Sequence, residues 1–404
     1  MKAVGIVAEY NPLHNGHIYH MNSARDLSGA DAVVVAMSGS FVQRGMPAVF
    51  DKWTRSEHAL RSGADLVIEI PVLSCLGNAG QYAGCGVRLL ESLGCTHIAF
   101  GSESGRTDEL RAASDFIREN SEKMREAIRS AATGGLSYPK ARQIAYEMLG
   151  GPDAGLLPET PNDILAFEYI SAMRTAEPLA VIRKGAGYHE GQSESEYQSA
   201  SALREMLGKG VDISAYVPEC TADAGMETGT MLSEGSEERL FDMVRYAVMS
   251  SSSEWIDDCP SGGEGLGNLL RSSCAGAKSL DDLIMSVKSR RYTYTRISRL
   301  CMQVLLGITR EKYCPGDYTT AAAEPGYIRV LGFNDRGREL LSETRKGGLA
   351  SLPVITNINK EGDLPDETGR RSLELDVYAS DIYSLLTGRD IGSFSDHRQR
   401  PVMI

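Results

Sequence analysis

The sequence predicts an α/β fold in which a parallel sheet in the first half is followed by a mainly helical second half. Three observations carry this reading. Short apolar runs alternate with helix-period segments from the N-terminus to Ile182. The first run, Ala3 to Ala8, breaks at Asn11-Pro12, and apolar spacing resumes after Gly16 with Ile18, Met21 and Leu27, which reads as strand, turn, helix. Beyond Tyr216-Val217-Pro218 the strand runs thin out and helical spacing dominates.

Taken in order, Asp31 to Ala36 reads as a second buried strand and Asp65 to Ile70, closed by Pro71, as a third. Thr96 to Phe100 reads as a fourth and Leu179 to Ile182 as a fifth, with helices between them over residues 16–28, 53–62, 78–93, 108–131 and 161–174. This rhythm predicts right-handed crossovers between parallel strands. Past a boundary placed at 215, helices are expected over 237–250, 264–273, 279–287 and 293–307. A mixed tail follows, with strands at Tyr327–Phe333 and Pro353–Thr356 and a helix from Leu373 to Leu386. At 404 residues the chain exceeds what one core usually serves, so two units are expected, 1–215 and 216–404.

Hydrophobic content of 42% suits a globular protein, and no run approaches the roughly 18 apolar residues of a membrane span. A cytoplasmic location with no membrane partner is expected. The eight cysteines form no C-x-x-C pair and several stand in apolar surroundings, which favours reduced core thiols. A net charge of -12 argues against indiscriminate nucleic-acid binding but leaves room for a local basic face. Composition does not address the oligomeric state.

Chemistry concentrates at Val7-Ala8-Glu9-Tyr10-Asn11-Pro12-Leu13-His14-Asn15-Gly16-His17-Ile18-Tyr19-His20. In parallel sheets ligands bind outside the carboxyl ends of the strands, and the amides of a following helix favour phosphate. His14 and His17 lie about one turn apart at such a junction, where either ring can donate to a phosphate oxygen, and Gly16 permits close backbone approach. Turn formation with surface histidines is the plainer alternative; the clustering of three histidines with Asn-Pro and Asn-Gly favours a site. Only Glu9 stands near these histidines as a further ligand, which ranks zinc below a nucleotide and leaves no protein metal site expected.

Later strand ends supply further candidates. Met37 to Gly45 is either a flexible crossover or a flap carrying Arg44 toward a phosphate or acyl group. Gly101 is either a turn residue or an open amide for an adenosine. Thr160-Pro161-Asn162-Asp163 has the composition of a helix start, and Asn162 is either part of it or an amide that reads a nucleotide. Arg183 and Lys184 are adjacent cations before Gly-x-Gly, a credible phosphate clamp. Ser199-Ala200-Ser201-Ala202-Leu203-Arg204 offers a hydroxyl and a cation at a helix start. From Leu283 to Arg310 there is no acid, while Lys288, Arg290, Arg291, Arg296 and Arg299 stand with Tyr292 and Tyr294, a pattern suited to phosphate contacts and base stacking. A solvated helix face is the alternative.

The string Asn11-Pro12-Leu13-His14-Asn15-Gly16-His17 after a first strand resembles the HIGH-motif nucleotidyltransferase superfamily, and with Glu9-Tyr10 and Tyr19-His20 it is most similar to the bacterial tRNA(Met) cytidine acetate ligases, although Leu13 stands where that family usually has Phe. Ser38 to Gly45 with Asp51-Lys52-Trp53, Pro161-Asn162 and Arg290 to Ile297 resemble the same family, and Ser199 to Arg204 resembles the superfamily's second phosphate motif with Ser201 for Thr and Leu203 for Ile.

The resemblance implies a Rossmann-like catalytic domain over 1–215 and a tRNA-binding domain over 216–404. It implies a ligase that converts acetate and ATP, with Mg²⁺ brought by the nucleotide, to acetyl-adenylate and acetylates N4 of the wobble cytidine of elongator tRNA(Met). His14, His17 and Arg44 are then catalytic, residues 7–20 with Gly101, Asn162, Arg183, Lys184, Ser201 and Arg204 hold ATP, and the basic stretch holds RNA. A small-molecule adenylyltransferase and a nucleotide-sensing RNA-binding protein without turnover are the alternatives.

Overall fold

The computed structural model describes residues 1–132, 138–154, 157–158, 160–183, 197–224, 232, 235–313, 322–347, 350–360 and 365–404. In chain order the strands are β1 (Ala3–Ala8), β2 (Ala32–Ser38), β3 (Phe41–Val42), β4 (Met46–Pro47), β5 (Leu66–Ile70), β6 (Cys95–Ser102), β7 (Glu177–Ile182), β8 (Ile328–Phe333), β9 (Val354–Ile355) and β10 (Val402–Met403). Helices α1 (Asn15–Ser28), α2 (Lys52–Arg61), α3 (Val72–Cys75) and α4 (Ala79–Ser92) lie between the early strands.

Eight strands form one sheet in the order β10-β8-β5-β2-β1-β6-β7, with β9 also on β8. The five strands β5, β2, β1, β6 and β7 are mutually parallel, as the alternation of elements predicts. Strand order reverses at β1, and that reversal opens a crevice beyond the carboxyl ends of β1 and β6.

Alternate strand residues feed two cores. Val34, Ala36, Leu66 and Ile68 face α4 through Val87, Leu89 and Leu90. Val33, Val35, Met37 and Val67 face α1 and α2 through Met21, Ala24, Ala59 and Leu60. All seven residues of β2 are buried, which is why its sequence is a continuous apolar run rather than an alternation. The α4 backbone comes close to β1: a Cβ on Gly86 would lie 2.8 Å from a Val7 methyl.

The helical second half has its own core, built around Leu240, Val244, Leu283, Ile297 and Leu300, and Phe41 of β3 and Val72 of α3 enter it. The boundary expected at 215 is not an edge of the sheet, because β8, β9 and β10 all come from beyond it. The β8 strand lies antiparallel to β5, placing the last third of the chain against the first. Expected elements recur within a few residues, with one break: the helix over 108–131 is two helices, Thr107–Glu119 and Ser121–Ala132. Asn120 divides them, its side-chain amide donating back to the Phe116 carbonyl at 2.9 Å.

A buried ionic cluster joins the two parts. Lys52 Nζ lies 2.7 Å from both Glu69 and Asp396, and the Arg329 guanidinium lies 3.0 Å from Asp396 and 3.5 Å from Glu69. Two cations face two carboxylates, so charge balances where water is absent. Nearby, Asp376 accepts from the Val72 amide at 2.7 Å and from the Tyr327 hydroxyl. Burial and then the Glu69 charge push its carboxyl up to about 7. Among the described residues no helix is long and apolar enough to cross a membrane.

Candidate active site

The site is built where β1 gives way to α1. After Ala8 the chain turns through Tyr10, a non-glycine residue at φ 46°, and a cis Asn11–Pro12 peptide. His14 caps α1: its Nδ1 accepts from the Gly16 amide at 3.1 Å, and His17 Nδ1 accepts from the His14 amide at 3.3 Å. The two rings stack with centroids 3.7 Å apart, and the Tyr10 ring lies 4.9 Å from His17. A Cβ on Gly16 would sit 3.0 Å from the His14 ring, so glycine makes room for the capping imidazole.

These bonds fix the chemistry of both rings. An imidazole whose Nδ1 accepts from an amide, when neutral, carries its proton on Nε2. Burial, followed by the Arg183 charge, lowers His14 to about 4, and burial with His14, His20 and Arg183 holds His17 well below its usual value. Both rings are therefore neutral at pH 7, each with its Nε2–H left as a donor once Nδ1 serves the helix cap. His20 is also lowered to about 4 by burial and Arg183, against the opposing pull of the Phe100 carbonyl. Neutral donors at a helix N-terminus beside one guanidinium form an anion seat with little charge of its own to desolvate.

The remaining candidates fall into distinct places. Tyr10 and Leu13 are buried in the sheet core, which leaves their backbone as the part that can meet a ligand. Asn15 docks the chain beyond the first half, its amide 2.9 Å from the Tyr216 carbonyl and its side chain 3.2 Å from that of Ala215. Val7, Ala8 and Ile18 are half-buried, Pro12 is buried, and Tyr19 meets Tyr197 edge to face at 6.3 Å. Gly101 lies within β6 opposite Val181 rather than in a turn, and Arg183 lies across it, 3.5 Å from where its Cβ would be. Lys184 lies outside the described residues.

Asn162 donates to the Glu103 carboxylate, which also accepts from the Thr160 hydroxyl and the Asp163 amide at 3.1 Å each. Its neighbours thus use it as a helix-start residue that ties the Pro161–Ala172 helix to the end of β6. Arg204 is brought 193 positions along the chain to the first turn, donating to the Asn11 carbonyl at 2.7 Å and to the Ser201 hydroxyl at 3.1 Å. The two motifs at opposite ends of the first half therefore meet.

Arg44 stands exposed at the tip of the β3–β4 hairpin. The hairpin has two working sides. Toward the mouth, the Gln43 amide donates to Glu9 Oε1 at 2.9 Å. Toward the second half, the Gly45 carbonyl accepts from the Ser298 hydroxyl at 2.8 Å and the Gln43 carbonyl from Arg299 at 3.4 Å. Gly45, at φ 81°, lies so close to the 298–299 backbone that any Cβ there would overlap it.

Sequence reasoning did not single out Arg55. It is fully buried and donates to the Phe50, Glu9, Ser38 and Gly39 carbonyls, holding the ends of β1 and β2 together. A cation one turn into a helix that starts Asp51-Lys52-Trp53 was the available signal, but nothing local says that its partners are main-chain carbonyls.

The basic stretch divides as well. Lys288 and Arg290 are exposed, and Arg291 pairs at the surface with Glu264 at 2.6 Å. Arg296 turns inward to the Ser261 and Gly262 carbonyls at 3.0 and 3.1 Å, while the Arg291 and Arg296 guanidinia lie over the Tyr292 ring at 5.9 and 5.1 Å.

The chain matches the HIGH Nucleotidyl Transferase family over residues 1–397. It is 33% identical over 414 residues to the tRNA(Met) cytidine acetate ligase of Clostridium novyi (strain NT), with both chains covered completely, and 34% identical over 402 residues to that of Clostridium perfringens (strain SM101 / Type A), with 96% of each covered. Its structure resembles Thermotoga maritima TmcAL bound with alpha-thio ATP at a TM-score of 0.88 and 29% identity, and the apo form at 0.89 and 30%, each over the full length of both chains. The histidine-capped turn, the parallel sheet that carries it and these full-length likenesses lead to one assignment: the chain belongs to the HIGH nucleotidyltransferase family and, within it, to the tRNA(Met) cytidine acetate ligases.

Proposed function

We propose that this protein activates acetate with ATP, releasing pyrophosphate, and transfers the acetyl group from acetyl-adenylate to N4 of the wobble cytidine in elongator tRNA(Met). The observation that carries the reading is the β3–β4 hairpin, which touches Glu9 at the nucleotide mouth on one side and the Ser298–Arg299 backbone of the basic stretch on the other.

In the first step an acetate oxygen attacks the α-phosphorus and the bond to pyrophosphate breaks. His14 and His17, through Nε2–H, and the positive end of the α1 dipole stabilise charge growing on the α-phosphate oxygens. Arg183, Lys184 and Arg204 are assigned to the departing pyrophosphate, and Gly101 and Asn162 to the nucleoside. Arg44 is assigned to the adenylate from the hairpin tip. Mg²⁺ would arrive on the triphosphate.

We assign 1–215 chiefly to ATP chemistry and 216–404 chiefly to RNA. Exposed Lys288 and Arg290 suit phosphates, and the Arg291–Tyr292–Arg296 stack suits an unpaired base. Within the Tyr294–Leu305 helix the rise from Tyr294 to Arg299 is about 8 Å, which sets the basic stretch beside the hairpin that Arg299 meets. The protein would act in the cytoplasm, where ATP and tRNA are. The test is incubation with ATP, labelled acetate and total tRNA, followed by nucleoside digestion: N4-acetylcytidine in elongator tRNA(Met), together with acetate-dependent ATP–pyrophosphate exchange, is the expected result. Exchange driven by a phosphorylated metabolite instead of acetate would overturn it.

A further inference from the structure

We propose that Glu9 is the base that takes the proton from the cytidine N4 amine as the acetyl group is transferred, an inference that rests on the function proposed above. In that step the N4 lone pair forms a bond to the acetyl carbonyl carbon, and the bond from that carbon to the adenylate oxygen breaks. AMP leaves with the electron pair. The amide product carries one proton fewer on N4, and that proton must go to an acceptor in the mouth; Glu9 takes it and later releases it to water.

The histidines do not fill this role. The Nδ1 lone pairs of His14 and His17 are occupied by the Gly16 and His14 amides, and their Nε2 atoms already carry protons. Among the described residues His20 Nε2 is sealed from solvent and from every hydrogen-bond partner, out of reach of an incoming amine. Glu9 is placed differently. Among the described residues only one of its carboxylate oxygens is hydrogen-bonded, Oε1 to the Gln43 amide, and the residue is half-buried at the end of β1. The group that fixes it belongs to the hairpin whose other side meets the basic stretch, so the carboxylate lies on the path from the RNA side to the mouth.

Its surroundings raise its affinity for a proton. Burial raises the carboxyl above its usual range, opposed by the Gln43 amide and by the charges of Arg44, Arg204 and Arg55. From α4 and from the Pro161–Ala172 helix it is faced by the Tyr82 and Tyr169 hydroxyls, both pushed up by burial and so neutral. The three arginines stay charged, which leaves Glu9 as the group able to change its protonation. Its proton affinity is lifted above that of an ordinary carboxylate, which makes it the stronger base.

The test separates the two half-reactions in full-length protein. Glu9→Gln preserves volume and the acceptor for the Gln43 amide. Acetyl transfer from preformed adenylate to elongator tRNA(Met) should fall about a hundredfold or more, well beyond any decline in acetate-dependent ATP–pyrophosphate exchange. The wild-type transfer rate should rise with pH across one ionisation above the ordinary carboxylate range. That limb should vanish in Glu9→Gln and persist, at a lower rate, in Glu9→Asp. Equal losses in exchange and transfer, transfer at the wild-type rate, or an unchanged pH limb in Glu9→Gln would each overturn the assignment. Wild-type enzyme that forms adenylate but no acetylcytidine would instead sink the tRNA reading, and this inference with it.

Discussion

Two buried polar regions of this molecule are built on opposite rules. At the mouth, His14 and His17 are stripped of charge by burial and use Nδ1 on the helix cap, leaving on each ring an Nε2–H donor. Around Lys52 the charges are kept, and Lys52 and Arg329 are matched against Glu69 and Asp396. A polar group held ready for a ligand is best neutral and under-used, since a bare buried charge is costly and a saturated donor has nothing to offer. A polar group that holds elements together is best saturated. Chemistry and architecture are therefore separable by mutation.

The largest expected effect is on the architectural side. Lys52→Met removes the cation shared by Glu69 and Asp396 and should cost about 3–5 kcal/mol in a denaturant titration. A variant as stable as the wild type would mean that the cluster does not hold the last third of the chain to the first. The opposite pattern is expected of His17→Ala: adenylate formation down about 10²–10³-fold, with stability reduced by only one cap bond, about 1 kcal/mol. Near-normal ATP–pyrophosphate exchange in that variant would remove His17 from the mouth's machinery.

A smaller effect sharpens the contrast through pH. Asp376 titrates near 3.8 when unfolded and at about 7 when folded, so between these values the native state holds a proton that the unfolded state has released. Its contribution is complete below the unfolded value and fades as pH rises through the folded one. Measured against Asp376→Asn, the wild-type melting temperature should therefore fall with rising pH across this window. That difference removes the opposite slope which the lowered His14, His17 and His20 give both proteins. Asp396 does not interfere: burial pulls its carboxyl up, but the Arg329 and Lys52 charges outweigh that and keep it below 3.8, outside the window.

The smallest effects fall on the basic stretch, where the same rule predicts a division. Lys288 and Arg290 are exposed, so changing both to Ala should reduce the salt slope of log K for tRNA by about 0.9 for each phosphate that they would otherwise neutralise. Arg296 is already committed to the Ser261 and Gly262 carbonyls, so Arg296→Ala should lower the melting temperature and leave the slope nearly unaltered. A reversed outcome would mean that RNA binding draws Arg296 out of its internal hydrogen bonds.

Local pattern was enough to read the five parallel strands, the helix starting after Asn15-Gly16 and most helices of the second half, because apolar periodicity and turn residues act over a few positions. It was also enough to place His14 and His17 at one helix start, since their spacing is a single turn. What tertiary structure decided depends on distant partners or on exclusion of water. The attachment of β8 and the two-residue β10 to the sheet rests on pairing with strands far away in sequence. Arg204 reaches Asn11 from 193 positions away, and Arg55 finds main-chain carbonyls at two strand ends. The neutrality of the histidines, the inward turn of Arg296 and the raised carboxyl of Glu9 follow from desolvation and neighbouring charge. A sequence names the groups that can carry charge, but only the packed chain sets which of them keep it.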